Sequence, residues 1–262
     1  MFNLIKRTAA LMALSVALAT PLFADQLQSI LDKGSIAIGV PESFPPFGSV
    51  GKNFEHEGYD VDVAGLIAKD LGVTLKVVPL TSKQRIPFLI SGKVDLVISS
   101  MGANPKRAKS IWFSSAYAPF FAGAYAAKNV IVSGYEDLKG YKVGVTGGTL
   151  EDLELTKRAP KGTDITRFGD NAANISAFVA GQVDVMVTGN IVAAKVIEKN
   201  PSIGIESKFI LRDSPCFIGV RQGESNMLRW VNVFILHKTL GGDLNELSMK
   251  WFGQELPPLP RL

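Results

Sequence analysis

Ile86-Pro87-Phe88-Leu89-Ile90-Ser91-Gly92-Lys93-Val94-Asp95-Leu96-Val97-Ile98-Ser99 is echoed further on by Ile175-Ser176-Ala177-Phe178-Val179-Ala180-Gly181-Gln182-Val183-Asp184-Val185-Met186-Val187-Thr188. Each copy reads as a helix stopped by Gly, then one polar residue, then a strand entered through Val-Asp. Gly ends a helix because it adopts the left-handed conformation without a Cβ penalty. The run after each Asp is apolar at every position, which a strand covered on both faces requires. A stretch that recurs in this way marks an internal repeat.

Working outward, each copy has a matching strand upstream, at 35–40 and at 141–145. After the first comes a helical spacing over 60–71, with Val61, Ala64, Ile67, Ala68 and Leu71 on one side, stopped by Gly72 and followed by a β-rich stretch at 74–78. After the second come a helix at 151–157 and a strand at 164–168. The chain therefore holds two β-α-β-α-β units, at about 35–100 and 141–188. The fold class expected is α/β: two lobes, each a mainly parallel sheet with flanking helices. Residues 116–128 and 214–220 read as extended crossings between the lobes. From Ser225 on the chain is helical, with Leu228, Val231, Phe234 and Ile235 on one face, then Leu244, Leu247 and Trp251, before the Pro-rich tail at 256–260. With that tail packed back, the expected division is 25–120 with 216–262 as a discontinuous first lobe and 121–215 as the second. Two crossings form a hinge that bends without unravelling either core.

Composition narrows the function. Of 262 residues, 47% are apolar and 20% charged, enough to bury a core in each lobe. The 28 basic and 24 acidic residues form no block of like charge, so a nucleic-acid footprint is not expected. The single cysteine, Cys216, excludes an internal disulfide and a multi-cysteine metal site, and His56 and His237 lack ligand spacing. No metal or cofactor is expected. Lys6 and Arg7 precede an apolar run at 9–19, then Thr20-Pro21 and Ala24. Segment 1–24 reads as a cleaved secretory signal peptide, too short in its apolar part to span a bilayer. No cysteine follows to take a lipid, so an exported, unanchored periplasmic protein is expected.

Ligands on such sheets bind beyond the carboxyl ends of strands. Four ends can be named: Pro41-Glu42-Ser43-Phe44, Ser99-Ser100-Met101-Gly102, Thr146-Gly147-Gly148-Thr149 and Thr188-Gly189-Asn190. Arg107, following Gly102-Ala103-Asn104-Pro105-Lys106, carries the donor fork that fits a carboxylate. Read by position alone, it is a surface arginine before it is a ligand anchor. Thr149 opens a helix and serves as its N-cap, whose free backbone N–H groups also suit an anion. Phe44 and Phe47, held by Pro45-Pro46, either wall a pocket or fill the core. Asp95 and Asp184 start strands at the end away from the cleft and read as structural, which leaves Glu42, Glu151 and Asp152 as the carboxylates at its mouth. The chain has no Gly-x-Ser-x-Gly elbow, phosphate loop, His-Glu-x-x-His or Gly-x-Gly-x-x-Gly. A binding protein accounts for it better than an enzyme.

These stretches together resemble the periplasmic solute-binding proteins of the polar amino-acid ABC importers. The matching segments are Gly39-Val40 to Phe44-Pro45-Pro46-Phe47, Gly58-Tyr59-Asp60-Val61-Asp62-Val63-Ala64, Arg85-Ile86-Pro87, Ser91-Gly92-Lys93-Val94-Asp95-Leu96, Pro105-Lys106-Arg107-Ala108-Lys109, Phe113-Ser114-Ser115-Ala116-Tyr117, Trp230-Val231-Asn232, Lys250-Trp251-Phe252-Gly253 and Leu256-Pro257-Pro258-Leu259-Pro260. The resemblance implies a monomeric two-lobe clamp that closes on an amino acid or related small carboxylate and delivers it to an inner-membrane permease. It implies that Arg107 grips the ligand carboxylate, that Ser100 and Gly102 bond the ligand, that Thr149 and the Leu150 N–H complete the carboxylate site, and that Phe44 lies over the ligand side chain. Many members place an aspartate just after the second-lobe strand to meet the ligand ammonium; here that position is Gly189. Glu151 or Glu42 stands in, Asn190 offers a neutral carbonyl, or the ligand lacks the amine. Two rival readings stay open: a cyclohexadienyl-dehydratase-like enzyme on the same scaffold, and a ligand sensor without transport.

Overall fold

The computed structural model of the chain describes residues 25–260; the leader reading of 1–24 lies outside the described residues. The first repeat follows α1 (Gln26–Lys33) and runs β1 (Ser35–Pro41), the short β2 (Ser49–Val50) and β3 (His56–Glu57), α2 (Tyr59–Leu71), β4 (Thr74–Leu80), α3 (Arg85–Ile90) and β5 (Leu96–Gly102). After α4 (Pro105–Ala108) come β6 (Ile111–Ala118) and β7 (Phe121–Ala127). The second repeat is β8 (Lys142–Thr146), α5 (Leu150–Arg158), β9 (Asp164–Phe168), α6 (Asn171–Val179) and β10 (Val185–Gly189). The chain ends through α7 (Asn190–Lys199), β11 (Ile205–Asp213), β12 (Cys216–Arg221), α8 (Ser225–Leu240) and α9 (Asp243–Phe252).

Two five-stranded sheets result, ordered β4-β1-β5-β12-β6 and β11-β7-β10-β8-β9. In each, three strands of one repeat pair in parallel, and the last of them meets an antiparallel strand brought in from the other crossing, β12 in one sheet and β7 in the other. Every position of β5 and of β10 is buried, the apolar runs that open them and also Ser99, Ser100 and Thr188 toward their carboxyl ends. One face of the first sheet packs Ile36, Ile38 and Val40 with Ile67 of α2 and Val231 and Phe234 of α8; the other packs Val97 and Met101 with Leu80, Leu89 and Ile111. Gly72 ends α2 at φ 68°, where any Cβ would be strained.

The two segments read as crossings are mostly strand. β7 and β12 sit inside the sheets, so the passages themselves shrink to Pro119-Phe120 and Ser214-Pro215. They are bonded together, Ser214 N–H donating to Phe120 O at 3.0 Å. The tail lies along the edge strand of the first sheet, with Ala116 N–H donating to Pro260 O at 3.4 Å. Asp95 and Asp184 act in the sheets: each carboxylate accepts the backbone N–H of the repeat's opening strand, Ala37 at 2.8 Å and Lys142 at 2.7 Å.

Candidate functional site

The carboxyl ends of the parallel strands from both sheets meet at one cleft. A cavity there is lined by Phe44, Arg85, Ser100, Gly102, Arg107, Phe120, Thr149, Leu150, Glu151, Asn171 and Ser214. Of the residues singled out in the sequence, Arg107, Ser100, Gly102, Thr149, Leu150 and Phe44 come together in it. Asn190 does not line it; its amide oxygen accepts from Phe121 N–H at 3.0 Å, tying α7 to the hinge. Glu42 is exposed outside the lining, and Asp152 is spent on Gly148 N–H and on Arg167.

Arg107 sits in a single helical turn started by Pro105, whose missing N–H costs nothing at that position, and capped by Asn104, which accepts the Arg107 N–H at 2.8 Å. That turn points the guanidinium inward, and the residue is only 9% exposed. One Nη donates to Gly102 O at 2.7 Å and the other to Gly148 O at 2.9 Å, so the fork spans from one sheet's loops to the other's. Burial, then the nearby Arg85, lower its pKa to about 10, which leaves it cationic at neutral pH.

Beneath Arg107 lies a second guanidinium. Arg85 opens α3, is 5% exposed, and donates from Nε to Ser99 Oγ at 3.0 Å. Ser100 is held at φ 40°, with its N–H donated to Asp60 at 2.7 Å and its own hydroxyl buried without a partner. Asp60 also accepts from Tyr117 OH at 2.7 Å. Burial pushes its pKa up to about 7 against the pull of those two hydrogen bonds and of Arg85. From the second lobe, Thr149 donates to Thr146 O at 2.8 Å and accepts Asp152 N–H at 3.2 Å, the cap expected of it. Glu151, in the first turn of α5, is 6% exposed; burial raises its pKa against the opposing hydrogen bonds of its own backbone N–H and of Thr149 and the weaker pull of Arg85 and Arg107.

Several lining positions are fixed by close approach. A Cβ on Gly102 would overlap the Leu150 and Ser214 side chains. On Gly148 (φ 83°) it would meet Lys83 Cγ at 2.9 Å. On Gly189 it would overlap the ring of Phe120. Phe120 in turn packs on Phe47 at 5.8 Å and Phe44 at 6.2 Å between ring centres. Arg85, Phe120, Asn171 and Ser214 were not singled out in the sequence. Arg85 follows the end of β4, a fifth parallel strand end to which the same carboxyl-end rule applies. The larger groove, about 1240 Å³ between β6, α8 and the tail, is lined mainly by apolar side chains such as Trp112, Leu228 and Leu236, and gathers no convergent charged groups.

Known proteins are similar to this chain in sequence and in fold. L-cystine-binding protein TcyJ of Escherichia coli (strain K12) is 27% identical over 249 residues, covering 93% of each chain. A mutant of ArgBP from T. maritima superposes with a TM-score of 0.82 at 30% identity, over 87% of this chain and 100% of that one. The ancestral amino acid-binding protein AncCDT-1, described as a precursor of cyclohexadienyl dehydratase, superposes with a TM-score of 0.79 at 31% identity, over 86% and 99%. The model of the bacterial extracellular solute-binding proteins, family 3, matches residues 36–254. With that match spanning both repeats, the hinge and the cleft, the chain belongs to the bacterial extracellular solute-binding proteins, family 3.

Proposed function

We propose that the chain is a periplasmic receptor that takes an amino acid or related small carboxylate between a lobe of residues 25–120 and 216–262 and a lobe of residues 121–215, and passes it to an inner-membrane ABC permease. Segment 1–24 directs export. The observation that carries this reading is the Arg107 fork, whose two donors reach Gly102 and Gly148 from opposite sides of one cleft. Carbonyl oxygens stand there where a carboxylate's paired oxygens accept more strongly, since hydrogen bonds to ionised acceptors are about twice as strong. The cavity is about 10 Å³, far smaller than an amino acid, so the lobes part about Pro119-Phe120 and Ser214-Pro215 to admit one. A ligand touched from both sides favours the closed form by its differential affinity, and that form is the one a permease reads. Ser100, with a free buried hydroxyl, and the Leu150 N–H supply further bonds, while Phe44 packs over the ligand's side chain. A thermal-shift screen of amino acids and small carboxylic acids tests this: a tight ligand raises Tm by mass action. No shift with any compound in either class counts against the receptor reading.

One observation favours a second reading. A buried cleft acid with a raised pKa, as Glu151 is, suits general-acid chemistry. In a cyclohexadienyl dehydratase the ring carboxylate leaves as CO₂ while the ring hydroxyl takes a proton and leaves as water; Glu151 would supply that proton and Arg107 would hold the remaining carboxylate. Incubation with prephenate or arogenate, followed by assay for the aromatic product, decides it; absence of product retires the enzyme.

A further inference from the structure

We propose that Glu151 is the ligand's cation partner, replacing an acid at the end of β10, and that the site therefore selects compounds carrying an ammonium beside the carboxylate. The inference rests on the receptor reading and narrows its ligand class. Its first support is steric. The space in front of Gly189 belongs to the Phe120 ring, so no side chain grows from that strand end without displacing it. An ammonium brought there would meet an aromatic ring and not a carboxylate.

The second support is a carboxylate without a close cation. Glu151 lines the same cavity as Arg107, and no Lys or Arg nitrogen lies within 4.0 Å of its oxygens among the described residues. A buried carboxylate in that condition is costly and is stabilised by any cation that reaches it. Its pKa is raised accordingly: hydrogen bonds to its own N–H and to Thr149, with the attraction of Arg85 and Arg107, do not offset burial.

The third support is the corresponding residue of the first repeat. Asp60 occupies the second position of α2 as Glu151 occupies the second position of α5. Both Asp60 oxygens are taken inside their lobe, by Ser100 N–H and Tyr117 OH. Glu151 has no such strand-end partner from β10. An α-amino acid carries its two charged groups on one carbon, which matches a cation fork and an acid lining a single small cavity.

The test uses calorimetry on the mature chain with the standard L-amino acids and L-cystine, and with the des-amino acid of each binder (δ-guanidinovalerate for arginine, glutaramate for glutamine). Wild type is expected to bind at least one amino acid and to bind its des-amino partner about tenfold or more weaker, the loss typical of a charged hydrogen bond. Glu151→Gln, which keeps the side-chain shape, is expected to erase that gap by weakening the amino acid alone. Phe120→Ala with Gly189→Asp in the same background is expected to restore it. Equal binding of amino and des-amino partners by wild type overturns the proposal without any variant. So does a gap that survives Glu151→Gln. Binding of small carboxylates with no amino acid bound also overturns it and leaves the receptor reading standing; no binding in either class removes both.

Discussion

The two repeats agree at one end and part company at the other. Away from the cleft they share one backbone exchange: Asp95 and Asp184 each accept a backbone N–H from the opening strand of their repeat and return their own N–H to the same residue, Ala37 O at 2.7 Å and Lys142 O at 2.8 Å, although Asp95 also holds Lys33 at 3.0 Å. At the cleft, β5 carries Ser100 at φ 40° two residues before its end, braced by Asp60 and followed after Gly102 by Arg107, whereas β10 ends in a bare Gly189 under an aromatic ring. The acids at the second position of the first helix diverge in the same way, Asp60 bonded inward and Glu151 facing the cavity. The two repeats share the contacts that hold a sheet and differ in those that meet the cleft. Asymmetry between otherwise matched ends is thus a direct pointer to function.

The two repeats differ most at Arg107, which has no arginine counterpart after β10. Arg107→Ala is expected to weaken ligand binding by about 2–5 kcal/mol, as for truncating a buried charge contact; calorimetry giving wild-type affinity would remove it from the site. Next comes Asp60. Its folded pKa of about 7 lies above the ordinary value near 3.8, so the unfolded chain ionises first and folding stability falls as pH rises from about 4 to about 7, then levels. The fall amounts to at most about 4 kcal/mol from this group, and Glu151 adds in the same sense. Urea titrations across that range should show a slope that flattens in Asp60→Asn; an unchanged slope assigns it elsewhere. At the opposite strand end, Gly189→Ala is expected to cost about 1–3 kcal/mol by overpacking against Phe120. Phe120→Ala should suppress much of that cost, and strict additivity of the two in denaturation would show that the ring is not the obstacle. The smallest effect tests the matched ends. Asp95 is more buried than Asp184, so Asp95→Ala should cost about 1–3 kcal/mol and Asp184→Ala less, because water replaces the lost acceptor at an exposed site. Equal losses would mean that burial is not what separates them.

Much of this was legible in advance because the informative signals were local and repeated. Gly92 and Gly181 end helices, and the apolar runs behind Asp95 and Asp184 are interior strands, all readable from neighbours in sequence. Arg107 was readable as a donor fork, though its bonds to Gly102 O and Gly148 O depend on lobes distant in the chain. Phe120 was not legible, because its importance arises from filling the volume beside Gly189, and no one-dimensional pattern encodes a void. Arg85 stands in the sequence only as part of the matching segment Arg85-Ile86-Pro87; the register of β4 beside β1 carries it to the cleft. Residues 121–127 and 216–220 read as linkers for want of turn signals separating them from the crossings, yet they are interior strands.

The position of β12 bears on how the molecule is made. It lies between β5 and β6 but is supplied only after the whole second sheet has been threaded. As the polypeptide emerges N-terminus first, residues 121–213 can complete their sheet while the first sheet still lacks its fourth strand, with β5 and β6 exposing unpaired backbone. Such open edges invite association with other nascent chains. The first sheet is therefore sealed only by a strand that follows the whole of the second.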